Sequence, residues 1–200
     1  MIKIKPTTLS RMVRALPNFL WPLKFYIVKH SLKKVGTNFR FGINCVFSDH
    51  RLIEIGDNVF IGDKSTLTTV VPMFIGNDVM FGPEVMILSG DHNISVAGKP
   101  MSAVHTGGIN LTVTIENDVW IGSRATIMKG VTLGEGSVIG AASLVTKSLP
   151  PYSINIGTPC RTIKCRFSKK DLEFHLKAVG SKYTLEEIEK QYEKLNLKLS

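Results

Sequence analysis

Residues 115–145 read Ile-Glu-Asn-Asp-Val-Trp-Ile-Gly-Ser-Arg-Ala-Thr-Ile-Met-Lys-Gly-Val-Thr-Leu-Gly-Glu-Gly-Ser-Val-Ile-Gly-Ala-Ala-Ser-Leu-Val. An aliphatic residue falls at every sixth position: Ile115, Ile121, Ile127, Leu133, Ile139 and Val145. The same step joins Val35, Phe41 and Phe47, then Ile55, Ile61 and Leu67, then Ile75, Phe81 and Ile87. Glycine follows the apolar residue at Gly36, Gly42, Gly56, Gly62, Gly76, Gly82, Gly122, Gly134 and Gly140, and the fourth position after the apolar residue is usually small or β-branched, as at Val59, Ser65, Val119, Ala125 and Ser143. A 3.6-residue period drifts out of this register within two repeats, and an alternating strand has no use for a glycine every six residues. The pattern predicts strands of about four residues joined by tight turns, where Gly, Asn and Asp tolerate a left-handed backbone. Three such sides close a triangular coil of about eighteen residues, and the hexads amount to about five coils of an all-β parallel β-helix.

Working outward, 200 residues with 44% hydrophobic and 20% charged content suit one soluble globular domain and exclude global disorder. Cys45, Cys160 and Cys165 are odd in number and form no Cys-x-x-Cys, which points away from a disulfide framework and toward a reducing, cytoplasmic setting. The net charge of +9 is terminal. Residues 1–40 carry nine Lys/Arg and no acid, residues 41–160 six against ten acids, and residues 161–200 ten against six. A basic stripe on the folded body is missing, which argues against nucleic-acid binding.

The hexads, with Ile-Glu-Asn-Asp-Val-Trp-Ile-Gly-Ser at 115–123, Gly-Val-Thr-Leu-Gly-Glu-Gly-Ser-Val-Ile-Gly-Ala at 130–141, Val-Thr-Lys-Ser-Leu-Pro-Pro at 145–151 and Gly-Thr-Pro-Cys-Arg at 157–161, resemble the hexapeptide-repeat acyltransferases. The likeness covers about residues 35–165 and falls in the sugar O-acetyltransferase branch, with the maltose, galactoside and capsule or O-antigen acetyltransferases. It implies a left-handed helix, acetyl-CoA as co-substrate, no metal, a homotrimer with sites at its clefts, and a sugar or polysaccharide-precursor acceptor. The hand comes from the resemblance alone, since parallel crossovers in general are right-handed.

The hexads break between Ile87 and Ile115, and the loop 88–112 is too long for a corner turn. In the family the catalytic histidine opens such a loop, which maps to His92. An alcohol attacks a thioester poorly until its proton is removed, and an imidazole can take that proton and return it to the departing thiolate. His92 is therefore expected as general base, with Asp91 or Glu84 orienting it. Asp91 serves equally in a turn hydrogen bond, and Glu84 as a solvated corner carboxylate. The Ser123 backbone amide matches the family's oxyanion donor. Trp120 matches the residue beside the pantetheine arm, or else covers a corner. Ala141, Thr146 and Lys147 match the coenzyme groove, and Arg161 and Lys164 match basic positions near the nucleotide phosphates. Lys164 replaces the family's usual arginine, so it brings a point charge without the bidentate fork. His105, on the same loop, is a candidate to touch the acceptor, while His30, His50 and His175 default to surface or packing roles. The asparagine that small-sugar enzymes use falls near Gly62 or Lys64, which argues against a small-disaccharide acceptor.

The rival readings are an N-acetyltransferase acting on a nucleotide-linked amino sugar, a catalytically inactive structural β-helix, and a zinc hydratase, which needs three converging histidines that this spacing does not supply. The ends are expected as helical segments, 1–34 and 166–200, flanking the β-helix at 35–165. Residues 9–35 mix Leu, Phe, Trp21 and Tyr26 with Lys and Arg, too short an apolar run to span a membrane. They suit a cap on the first coil through Leu20, Leu23, Ile27 and Val28, compatible with peripheral contact to an anionic membrane. At the other end, Ser168-Lys-Lys-Asp171 and Thr184-Leu-Glu-Glu187 read as helix starts, with Leu185, Ile188, Tyr192 and Leu195 as one apolar stripe.

Overall fold

The computed structural model describes residues 20–199. It is a parallel β-helix with three sheets, each strand pairing in parallel with the strand one coil away. The first face stacks Lys34–Val35, Ile53–Ile55, Met73–Ile75, Val113–Ile115 and Thr132–Leu133. The second stacks Arg40–Phe41, Phe60–Ile61, Met80–Phe81, Trp120–Ile121 and Val138–Ile139, and is extended by Ser153–Ile156 and the antiparallel Arg161–Cys165. The third stacks Val46–Phe47, Thr66–Thr68, Met86–Leu88, Thr126–Ile127 and Leu144–Val145. Five complete coils result, and a partial sixth starts at Leu149, which bridges Leu133.

Fourteen of the fifteen hexad residues are buried; Val35, on the first coil, is half-buried. The fourth position after most of them is buried as well, from Phe39 and Val59 to Ser137 and Ser143; the exceptions, Arg51, Val71 and Asp91, follow the third face in the first three coils. The coils thus fill their interior from strand and corner positions together, and beyond the first coil the buried corner residues at the first two corners are small or branched, as at Val59, Ser65, Val79, Val85, Val119 and Ala125.

The corners correct one expectation. The left-handed residue is the third after the inward apolar one, at Asn38, Asn44, Asn58, Lys64, Asp78, Glu84, Asp118, Arg124 and Ala142, and the glycine directly after the apolar residue is not the left-handed one. That glycine answers to a different demand, the close approach of the next coil. A Cβ on Gly56 would stand 2.7 Å from the Gly76 carbonyl carbon, and one on Gly122 would stand 2.6 Å from the Ala141 nitrogen. Stacked corners are tied by backbone bonds such as Asn58 N–H to Thr37 O (2.9 Å) and Ala142 N–H to Ser123 O (2.8 Å).

The open first coil is capped by helix α1, Trp21–Ser31. Its inward residues differ from those expected. Val28 is buried, but Leu20, Leu23 and Ile27 are exposed, and the contact is made by Trp21, Phe25 and Leu32 on an aromatic cluster of Phe39, Phe41 and Phe47. Positions 21, 25, 28 and 32 lie on one helical face, which a count of apolar residues alone does not distinguish from the Leu20–Leu23–Ile27 face. Trp21 Nε1 donates to Gly42 O (3.3 Å), Lys24 Nζ to Cys45 O (2.7 Å), and Ser31 Oγ bonds His50 Nδ1 (2.7 Å). Residues 1–19, with Arg11 and Arg14 of the basic segment, lie outside the described residues.

At the far end α2 (Lys169–Val179) and α3 (Leu185–Glu193) fold onto the last coil. Ser168 caps α2, Thr184 and Glu187 form a full capping box on α3, and Leu172, Leu176, Ile188 and Tyr192 are buried against Tyr152 and Cys165. Leu195 lies past the end of α3 and is exposed, so it is not part of the stripe.

Because the post-apolar glycines face backbone and the left-handed corners do not require glycine, the two classes should respond oppositely to substitution. Gly56→Ala is expected to cost about 1–3 kcal/mol by overpacking, whereas Lys64→Gly, at φ 59°, should change stability by less than about 1 kcal/mol. Urea unfolding of both variants checks this; equal losses would contradict the division of roles.

Candidate functional site

The third and fourth coils are joined by residues 89–112, and strand register shows the excursion directly. Glu54 pairs with Phe74 and Phe74 with Thr114, forty residues on, where the coil before spans twenty and the coil after eighteen. The loop leaves and returns as a narrow neck. His92 bridges Gly107 in antiparallel fashion, Gly108 N–H donates to Asp91 O (3.2 Å), and Leu111 N–H donates to Ser89 O (3.0 Å). Gly108 is required here by space, since a Cβ would lie 2.6 Å from His92 O. Beyond the neck Asn93 Nδ2 donates to Thr106 Oγ1 (3.2 Å) and Ser95 N–H to Asn93 Oδ1 (3.0 Å).

His92 is held at that neck with its side chain exposed to solvent, beside an open pocket lined by Asp91, Asn93, Ile94, Gly108, Ile109 and Lys129. The structure assigns a job to Lys129 that sequence reasoning missed. Its Nζ pairs with the Asp91 carboxylate on the outgoing limb and donates to Ile109 O (2.7 Å) on the returning limb, clamping both to the fourth coil. A lone lysine at a corner reads as a solvated charge, and nothing in its spacing signals that the loop folds back over it.

The two carboxylates proposed to orient His92 are engaged elsewhere within this chain. Asp91 pairs with Lys129. Glu84 is a left-handed corner residue whose Oε2 accepts from Arg124 Nε (2.8 Å), the equivalent corner one coil on. His105 is exposed on the loop and does not line the His92 pocket.

Of the residues expected at the coenzyme, Trp120, Arg161 and Lys164 lie on a different face from the His92 loop, whereas Thr146 and Lys147 follow the third face, as that loop does. Trp120 points outward from the second face, in register with Val138, which pairs with Ile154, which pairs with Lys164. Trp120 and Lys164 therefore stand on one outward column, with Arg161 exposed on the same last strand. Ala141 lies at the corner after this face, and Thr146 and Lys147 lie at the corner after the third; all three are exposed. None of these lines the His92 pocket.

Along the second corner Ile43 N–H is capped by Asp63 Oδ1 (3.0 Å), and along the first Thr37, Asp57 and Asn77 N–H are capped by the side chains of Asp57, Asn77 and Asn117. The residue one coil beyond Ser123 is Ala141, which has no side-chain acceptor, so the Ser123 N–H lacks this cap, as does the Asp63 N–H opposite Pro83. The three cysteines are free, and burial pushes the Cys45 and Cys160 thiols up, away from the reactive thiolate form. Among the described residues no three His, Cys, Asp or Glu side chains converge as metal ligands, and no helix is long and apolar enough to cross a membrane.

A loop that opens from one corner of a hexapeptide coil, with a histidine at its neck, can be compared with known proteins. The model of the bacterial transferase hexapeptide (six repeats) matches residues 112–147. The galactoside O-acetyltransferase of Escherichia coli is 34% identical over 154 residues, 76% of this chain and 72% of that enzyme. The chain belongs to the hexapeptide-repeat acetyltransferases. A crystal structure of a maltose O-acetyltransferase from Clostridium difficile is 34% identical, covers 70% of this chain and 72% of that one, and superposes with a TM-score of 0.61. A hexapeptide-repeat acetyltransferase of Vibrio cholerae, solved in complex with acetyl coenzyme A, shares the fold at 24% identity, TM-score 0.62, covering 80% of this chain and 90% of that one. In length the match spans 52% of a Schizosaccharomyces pombe relative and 62% of the Lactococcus lactis galactoside O-acetyltransferase.

Removing the Lys129 clamp should free the neck while leaving the coils intact. Lys129→Ala is expected to raise amide exchange at Gly107 and Gly108 about tenfold, with little change for buried strand residues such as Ile127. Unchanged exchange at the neck would show that the backbone bonds alone hold it.

Proposed function

We propose that the chain is an acetyl-CoA-dependent O-acetyltransferase that acts on a hydroxyl of a sugar or polysaccharide precursor, with His92 as general base. The observation that carries this reading is His92 itself, fixed at the loop neck by the Gly107 bridge with an exposed imidazole beside an open pocket. Galactoside and maltose O-acetyltransferases at 34% identity support the O-acetyl branch and a sugar acceptor.

The residues suit the co-substrate. Arg161 and Lys164 offer exposed cations for phosphates, Trp120 offers a flat apolar wall on the same column, and the uncapped Ser123 N–H offers a fixed donor. Acetyl-CoA supplies an acyl group activated as a thioester. His92 takes the proton of the attacking hydroxyl at a ring nitrogen and returns it to the sulfur leaving group, so one imidazole serves as base and then acid. The Ser123 N–H stabilises negative charge developing on the acyl oxygen; because it is backbone, it needs no reorganisation as the charge appears. Asp91 acts indirectly, holding the neck through Lys129.

In a single chain the His92 pocket and the Trp120–Lys164 column are separate, so the site is read as shared between copies of a homotrimer. The second face supports an interface, with Phe60, Met80 and Trp120 exposed in one column. Three free, buried cysteines support a cytoplasmic setting.

Purified chain should release free thiol from acetyl-CoA only with an acceptor drawn from a panel of glycosides, polysaccharide fragments and amino sugars. His92→Ala is expected to lower turnover by at least about a hundredfold while coenzyme affinity changes little. Turnover within tenfold of wild type would remove His92 from the base role, and strict preference for an amine acceptor would replace O-transfer by N-transfer. Sedimentation equilibrium should give a trimer; a monomer at assay concentration would contradict the shared site.

A further inference from the structure

Helix α1 is apolar on two faces, and the β-helix uses only one of them. Trp21, Phe25, Val28 and Leu32 cover the first coil. Elsewhere on the helix Leu20, Leu23, Tyr26 and Ile27 are 64%, 56%, 60% and 53% exposed. At about 100° per residue these four lie off the packed stripe, Leu20, Leu23 and Ile27 forming the outer wall of an open groove whose floor is Cys45, Val46 and Phe47. A second apolar face left exposed on the helix calls for a second partner.

The charge around this face says which kind. The first acid in the chain is Asp49, preceded by nine Lys/Arg, five of them among the described residues. Asp49 is itself paired with Arg51 (3.0 Å). Lys24 donates to the Cys45 carbonyl and Lys33 pairs with Glu54 (2.7 Å), while Lys29 lies on the helix and Lys34 and Arg40 are exposed on the strands of the first coil beneath it. A second copy of this chain docking end to end would bring like charges together, whereas an anionic surface would complement them. We infer that the outer face of α1 docks the β-helix end-on to an anionic lipid surface, with Leu20, Leu23, Tyr26 and Ile27 at the headgroup level and the basic residues around them on the lipid phosphates.

The orientation has a consequence that rests on the acetyl-transfer reading. The His92 loop leaves the third coil, two coils from the capped end, so at a coil spacing of about 4.8 Å plus the thickness of one helix it sits about 20 Å from the lipid surface. An acceptor carried on a membrane lipid lies within that reach. Binding itself is measured without acceptor or coenzyme, so the two readings fail separately.

The full chain is sedimented with vesicles of phosphatidylcholine alone and of phosphatidylcholine with phosphatidylglycerol, at low and high salt. Binding is expected to the anionic vesicles only, weakening at least about tenfold as salt rises. Leu23→Asp combined with Ile27→Asp, at exposed positions, should weaken it at least about tenfold with melting temperature and oligomeric state unchanged, and Lys29→Gln with Lys34→Gln should flatten the salt dependence. No pelleting with anionic vesicles at low salt, undiminished binding by the Asp variant, an unaltered salt dependence in the Gln variant, or loss of the oligomer on introducing the aspartates, which would give the face to a second copy, would each overturn the proposal.

Discussion

The structure depends on one constraint: each coil must land backbone on backbone against the next, at strand spacing, on all three sides. Parallel pairing satisfies the amides of the strands, and the corner bonds from Asn58 to Thr37, Glu84 to Asp63 and Ala142 to Ser123 satisfy those of the turns. Where coils meet at the residue after each inward aliphatic there is no room for a side chain, and a Cβ on Gly36 would touch the Gly56–Asp57 peptide. Geometry repeats because contact repeats, so one departure from the repeat, residues 89–112, stands out as an element with its own purpose.

Most of that frame was legible in the residues. Inward positions are set by burial, and a period of six survives any reasonable variation in residue choice, which is why fourteen hexad residues are buried as read. The role of glycine was misjudged, because a six-residue period locates the glycine without saying whether backbone angle or neighbouring backbone demands it. Asn58 and Asp78 take the left-handed turn, and so do Lys64, Glu84 and Arg124, which no turn preference would select. The inward face of α1 was misread for a related reason: with apolar residues on both sides, the choice is made by the Phe39–Phe41–Phe47 cluster, a tertiary partner.

Of the candidate site, the sequence located single residues and not their pairings. The place of His92 at the mouth of the excursion follows from the break in the hexads, whereas the column that joins Trp120 to Lys164 does not, because Arg161–Cys165 pairs antiparallel beyond the repeat. The pairing of Asp91 with Lys129 and of Glu84 with Arg124 does not, since both link residues about forty apart whose proximity exists only after the coils stack. The same stacking leaves Ser123 facing Ala141, where the cap seen at Ile43 is missing. For the proposed transfer the solenoid would offer a backbone amide at a fixed place and a histidine whose backbone is held at the neck.

The central claim is that base and coenzyme surface come from neighbouring copies. It is tested most directly by mixing two inactive chains, His92→Ala and Ala141→Tyr, the second filling the corner opposite Ser123. After joint unfolding and refolding at equal amounts, a shared site predicts recovery of about a quarter of wild-type turnover, because about one interface in four pairs an intact His92 with an intact groove. Turnover no greater than the sum of the separate variants would contradict the account and place both halves of the site in one chain.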